Sequence, residues 1–165
     1  VTDKVADALI DKLKPKIEAL KIGPSVDQNA EMGPLITKEH LEKVSGFIKQ
    51  GIDEGAKLVV DGRNVKPEMQ GYEDGFFIGG SLFDNVEKEM SIYKNEIFGP
   101  VLSLVRKPDY KSAVDLIHGH EYANGVAIFT RDGDIARNFS NAIESPNPCR
   151  KRDACNKTSF SFFKS

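Results

Sequence analysis

Glu96 and Phe98 are the residues whose type and spacing first suggest chemistry. They stand two apart in the string Tyr93-Lys94-Asn95-Glu96-Ile97-Phe98-Gly99-Pro100, just ahead of the apolar run Val101–Val105. Two residues of one parity before a strand can both project into the crevice at a sheet's carboxyl end, where α/β folds bind ligands. A carboxylate placed there accepts two hydrogen bonds from a ribose diol, and a phenyl ring can border a planar heterocycle. The same two residues also fit a plainer arrangement, an exposed Glu and a core Phe at a loop-to-strand junction.

Other candidate groups are weaker. His118-Gly119-His120-Glu121 has metal-ligand residue types, but reads more simply as a helix C-terminus with Gly119 at C′ and histidine near the negative end of the dipole. Thr130-Arg131-Asp132-Gly133-Asp134 has the start of a calcium loop without its later ligands or terminal Glu. Cys149 and Cys155 flank Arg150-Lys151-Arg152, a basic run that can lower a thiol pKa; equally, they can be incidental residues of a tail. Two cysteines are too few for a zinc site without further ligands at standard spacing. The pattern offers no metal site, and no nucleophile in a recognisable setting. Asn138-Phe139-Ser140 and Asn156-Lys157-Thr158 are glycosylation sequons, read as chance matches because no secretory signal is visible.

The elements around these residues alternate. Val5, Leu9 and Leu13 form a helical stripe over 3–13, which Pro15 should end or kink. A polar loop over 25–36 leads to Thr37, an N-cap for a helix bearing Leu41, Val44, Ile48 and Ile52, with Gly55 at its C′ position. Leu58-Val59-Val60 is a strand closed by Asp61-Gly62. After an excursion over 63–75, Phe76–Ile78 and Ser81–Phe83 flank Gly79-Gly80, predicting a strand with a bulge or a close backbone approach. Val101–Val105 and Val126–Phe129 read as buried strands. Asp109 and Asp134 are placed to cap the helices that follow them. Helices and strands in alternation predict the α/β class with a largely parallel sheet.

Composition bounds the function. The chain has 165 residues, 39% hydrophobic and 29% charged, enough to bury a core. No stretch approaches the roughly 20 apolar residues of a membrane span. A net charge of −2 gives no electrostatic footprint for nucleic acid. Charge is unevenly spread. Residues 146–165 hold five Lys or Arg and one Asp, net +4, while 1–145 hold 18 and 24, net −6. Both cysteines lie in the basic stretch, which opens Ser145-Pro146-Asn147-Pro148 and lacks any helical or strand period. Residues 1–145 are therefore expected to be one folded piece, and 146–165 a disordered or frame-shifted tail.

The string Glu96–Val101 resembles a signature of the aldehyde dehydrogenase superfamily. The likeness extends, in order, through Met32-Gly33-Pro34-Leu35-Ile36, Glu54–Leu58 before Asp61-Gly62, Gly75-Phe76-Phe77, Leu82–Val86 and Asn124–Thr130, covering about 3–144. Val60–Arg63, Gly71–Phe77, Tyr93-Lys94 and Asn124–Thr130 are similar to the CoA-acylating branch, the methylmalonate-semialdehyde dehydrogenases. Ala123 departs from the family's usual glycine there. The resemblance implies part of that family's catalytic domain. It implies NAD as cofactor and CoA as co-substrate, with methylmalonate or malonate semialdehyde converted to propionyl-CoA or acetyl-CoA. Another NAD(P)-dependent aldehyde dehydrogenase, or a non-catalytic module, is the alternative. It further implies that Glu96 meets the nicotinamide ribose and Phe98 the nicotinamide, with Gly99 and Pro100 shaping the turn. In the family, the nucleophilic cysteine, the oxyanion-holding Asn and the Rossmann domain precede the segment matched here. No catalytic residue is therefore assigned, and the chain alone is expected to be inactive. A homo-oligomer, and a location in the bacterial cytoplasm or the mitochondrial matrix, are what the family implies for the complete enzyme, with neither nucleic acid nor membrane as partner.

Overall fold

The computed structural model describes residues 1–120 and 125–144. The chain divides into two compact units, Val1–Lys107 and the part from Pro108 onward.

In the first unit α1 (Asp3–Glu18) and α2 (Lys38–Asp53) precede β1 (Lys57–Val60), β2 (Ser81–Asp84), the single turn α3 (Ser91–Lys94) and β3 (Val101–Ser103). The sheet order is β1-β2-β3, with β1 antiparallel to β2 and β2 parallel to β3. The class is α/β as expected, and the three-stranded sheet is mixed. Its register pairs Leu58 with Phe83 and Leu82 with Leu102.

Two apolar clusters sandwich the sheet. Val44, Ile48, Ala56, Ile78, Phe83, Val86, Ile92 and Ile97 pack between α2 and the sheet. Val60, Leu82 and Leu104 pack against Leu9, Ile10, Leu13 and Ile17 of α1. That second cluster explains why α1 runs through Pro15 to Glu18 rather than ending near residue 13. The proline removes one backbone donor, but Leu13 and Ile17 on either side of it are half-buried against the Val60, Leu82 and Leu104 cluster, and packing outweighs the local defect.

Local chemistry fixes the other ends. The Thr37 hydroxyl accepts from the His40 N–H at 3.1 Å and caps α2. Gly55 follows α2 with φ +98°, the left-handed conformation that glycine adopts freely. The expected close approach at Gly79-Gly80 is present, and Gly62 is its partner. A Cβ on Gly62 would lie 2.1 Å from the Gly79 carbonyl oxygen. The Gly79 N–H donates to Gly62 O at 2.8 Å, and the Gly62 N–H to the buried Ser81 hydroxyl at 3.0 Å. Before this crossing, Phe76 O accepts from the Leu35 N–H and the Phe77 N–H donates to Gly75 O, both at 2.9 Å, so 76–78 form no ladder and the strand begins at Ser81.

In the second unit, α4 (Tyr110–His118) packs on α5 (Gly133–Glu144). Asp109 caps α4 by accepting from the Ser112 N–H at 2.8 Å. Gly119 ends it with φ −81°, so the expected left-handed C′ glycine is an ordinary C-cap. The cap of α5 is Asp132, not Asp134. Its carboxylate accepts from the N–H groups of Asp134 and Ile135 at 2.9 and 3.1 Å, because the helix begins one residue before Asp134. Residues 126–129 are not a strand, and Phe129 is 75% exposed. A strand needs a hydrogen-bonded neighbour, and among the described residues none runs beside them. The expected boundary at residue 145 and the tail beyond it lie outside the described residues.

Candidate functional site

The segment from Asn95 to Pro100 links α3 to β3 and is held at alternate residues. Ile97 is buried in the cluster under α2. Gly99 lies against Val44 of α2, close enough that a Cβ on it would come within 2.7 Å of Val44 Cγ2. Pro100 O accepts from the Ser81 N–H at 2.8 Å, which sets the start of β3 against β2. The Val101 N–H turns back to Gly99 O at 2.8 Å.

The residues between these anchors face outward. Glu96 is exposed, and Phe98 is 72% exposed with φ +53°. A bulky non-glycine residue in the left-handed region is strained, by about 1–2 kcal/mol, and such residues concentrate at functional sites. Phe98 is thus not a core residue, so the arrangement with a core Phe at this junction is not adopted. Glu96 and Phe98 are both exposed, with Ile97 buried between them. The chemistry available is that of an exposed acceptor carboxylate and an exposed aromatic ring two residues apart.

Upstream support comes from a contact that sequence reasoning missed. Glu54, the residue after α2, receives the Ser91 N–H at 2.7 Å and the Ser91 hydroxyl at 2.6 Å, so it caps α3 from outside. Gly51 lets α3 approach closely, since a Cβ there would lie 2.8 Å from Ile92 Cδ1. The Asn95 side chain closes α3 by donating to Ser91 O at 2.9 Å. Glu54 and Ser91 are 37 residues apart, and neither type advertises the other.

A second unforeseen feature is the buried carboxylate of Asp84, at the end of β2. Arg106 grips it with Nε and Nη2, each at 2.8 Å, and reaches Asp7 of α1 with Nη2 at 2.6 Å. The forked hydrogen bonds from Arg106 hold the Asp84 carboxyl below its ordinary pKa, and Asp84 and Asp7 together hold the guanidinium above its own. This group braces the sheet against α1.

Among the other candidates, His118 is in the last turn of α4, and Asp132 is committed to capping α5. Cys149 and Cys155 lie outside the described residues. Among the described residues, no three of His, Cys, Asp and Glu are grouped to hold a metal ion, and no helix is long and apolar enough to cross a membrane. A cleft of about 260 Å³ within 63–77, lined by Arg63, Lys66, Glu73 and Phe77 among others, includes neither Glu96 nor Phe98.

Comparison with known proteins gives this geometry a setting. Residues 1–148 match the model of the aldehyde dehydrogenase family. The chain is 56% identical over 144 residues to a malonate-semialdehyde dehydrogenase of Pseudomonas aeruginosa, covering 87% of this chain and 29% of that protein. It is 42% identical over 145 residues to malonate-semialdehyde dehydrogenase 2 of Shouchella clausii, covering 88% and 29%. A solved structure from Sinorhizobium meliloti, assigned as a methylmalonate-semialdehyde dehydrogenase and complexed with NAD, superposes with a TM-score of 0.82 at 57% identity, over 87% of this chain and 29% of that one. A Mycobacterium tuberculosis aldehyde dehydrogenase complexed with NAD+ superposes with a TM-score of 0.78 at 30% identity, over 86% and 29%. The chain thus spans about 29% of the length of the curated relatives it matches. With the family model matching most of its length, the chain belongs to the aldehyde dehydrogenase family.

Proposed function

We propose that this segment supplies the nicotinamide end of the NAD site in a CoA-acylating dehydrogenase of malonate or methylmalonate semialdehyde. The observation that carries the reading is the outward presentation of Glu96 and Phe98 from a loop pinned by Ile97 and Gly99. The relatives named for malonate-semialdehyde dehydrogenase and the NAD-complexed neighbours support the choice of substrate and cofactor.

An exposed carboxylate and an exposed phenyl ring fit one end of a dinucleotide: a diol to hydrogen-bond and a flat ring to border. Glu96 accepts from the ribose hydroxyls, and a charged acceptor makes those bonds stronger than a neutral one could. Phe98 limits how far the nicotinamide can tilt. When bound, NAD supplies the hydride acceptor. The work of this segment is orientation, and a misplacement of about 1 Å at that step can cost a hundredfold in rate. The aldehyde-binding cysteine and the residues that hold the oxyanion are contributed by other parts of the enzyme. On this reading residues 1–165 alone form no acyl-CoA.

The test is a chimera in which residues 1–144 replace the matching segment of the Pseudomonas aeruginosa enzyme. NAD reduction coupled to CoA thioester formation from malonate semialdehyde is the expected result. A folded chimera that oxidises other aldehydes but neither semialdehyde would overturn the substrate assignment. Folded protein that no longer binds NAD would overturn the cofactor role.

A further inference from the structure

Glu54 is poorly placed for the helix it belongs to. It is the C-cap of α2, directly after Asp53, and the last turn holds no basic residue. A negative charge at the carboxyl end of a helix opposes the macrodipole. The carboxylate is committed elsewhere in the fold. Its two oxygens accept separately from Ser91, Oε2 from the N–H at 2.7 Å and Oε1 from the hydroxyl at 2.6 Å. The first donors of a helix have no partner within it, and the N-cap of α3 is Met90, whose side chain caps nothing. Ser91 is engaged at its other end too. Its carbonyl accepts from the Asn95 N–H at 3.1 Å and from the Asn95 side-chain amide at 2.9 Å. Glu96 is the next residue.

We infer that Glu54 is a positioning residue for the nicotinamide end of the NAD site: through Ser91 and Asn95 it fixes where α3 ends, and so where Glu96 stands. The inference rests on the reading of Glu96 as the ribose acceptor. On the far side of Glu96 the loop is held against α2 by Ile97 and Gly99. On the near side Ile92 is buried and meets α2 at Gly51, but apolar packing is non-directional. The two hydrogen bonds to Glu54 are directional, and they set how the turn is rotated about that apolar contact.

Exposure separates this task from a purely stabilising one. Glu54, Asn95 and Glu96 are all exposed. A hydrogen bond open to water adds little net stability, because water replaces it when it breaks. Removing Glu54 also relieves an unfavourable charge at the end of α2, which offsets part of the loss. Orientation is the more sensitive quantity, since a misplacement of about 1 Å at a reacting centre can cost a hundredfold in rate. The substitution should therefore disturb the turn and the cofactor step more than it disturbs melting.

Two measurements test this. In the 165-residue chain, Glu54→Ala should speed amide exchange at Lys94 and Asn95, which bond to Met90 O and Ser91 O, by roughly threefold to tenfold, and leave Leu104, bonded to Phe83 O, as it was. Glu54→Gln should restore most of the protection, because its amide can accept from the Ser91 N–H and donate to the Ser91 hydroxyl. Unchanged exchange at both amides in Glu54→Ala overturns the inference. In the chimera with the Pseudomonas aeruginosa enzyme, Glu54→Ala should slow single-turnover hydride transfer by roughly 3- to 10-fold with a nearly unchanged melting temperature, and Glu54→Gln should recover most of the rate. In a Glu96→Gln background Glu54→Ala should add little, since its effect passes through Glu96. An equal loss in both backgrounds would show a general structural role and overturn the inference, as would an unchanged rate in Glu54→Ala beside a slowed Glu96→Gln. Glu96→Gln without effect on hydride transfer would overturn the reading of Glu96 itself, and the inference with it.

Discussion

Gly99 and Val44 meet so closely that no side chain fits between them: a Cβ on Gly99 would lie 2.7 and 2.8 Å from the two Val44 methyl groups. The contact joins the candidate site to the middle of α2, and it accounts for a glycine directly after Phe98.

Gly99→Ala should therefore lower stability by about 1–3 kcal/mol through overpacking. The double variant Gly99→Ala/Val44→Ala should recover part of that loss, although Val44→Ala alone is also destabilising. Chemical denaturation of the four proteins checks the expected coupling, and strict additivity would contradict it.

Glu96→Gln and Phe98→Ala should leave the melting temperature of the chain nearly unchanged, since both side chains are exposed. A buried Phe truncated to Ala would instead cost about 3–5 kcal/mol. Phe98→Gly should be neutral or slightly stabilising, because glycine adopts the φ of +53° without strain. Thermal melts decide both points, and a large loss in Phe98→Ala would place its ring in a core.

In the chimeric enzyme, Glu96→Gln should slow hydride transfer by roughly 5- to 30-fold, the equivalent of about 1–2 kcal/mol from weakened charge-assisted hydrogen bonds. Single-turnover absorbance of NADH isolates that step. An unchanged rate would remove Glu96 from the cofactor site.

Asp84 links stability to acid. Its carboxyl is held below the ordinary value by the Arg106 guanidinium, so its contribution is complete above about pH 4, the pKa of an unfolded Asp. That contribution is lost as pH falls below 4 through the folded-state pKa. Arg106→Gln should flatten the pH dependence of the melting temperature in this acid range and lower stability at pH 7, where it leaves a 1% exposed carboxylate without its cation. A parallel, unflattened acid profile in the variant would show that other groups govern acid unfolding.

What the sequence determined by itself is local. Thr37 and Asp109 had a donor-bearing turn directly after them, and their caps follow from a contact three residues long. The string that holds Glu96 and Phe98 is distinctive enough to reveal the family, because it needs only neighbouring residues to be read. Tertiary structure decided the rest. Pro15 stays inside α1 because Ile17 beyond it packs, half-buried, against the Val60, Leu82 and Leu104 cluster of the sheet. Val126–Phe129 has strand composition but no strand beside it among the described residues, and a ladder is a property of two segments. The grip of Arg106 on Asp84 and the cap that Glu54 places on Ser91 span 22 and 37 residues. Charged and hydroxyl residues are common and mostly solvated, so nothing in a single chain singles out such partners until folding excludes water from between them.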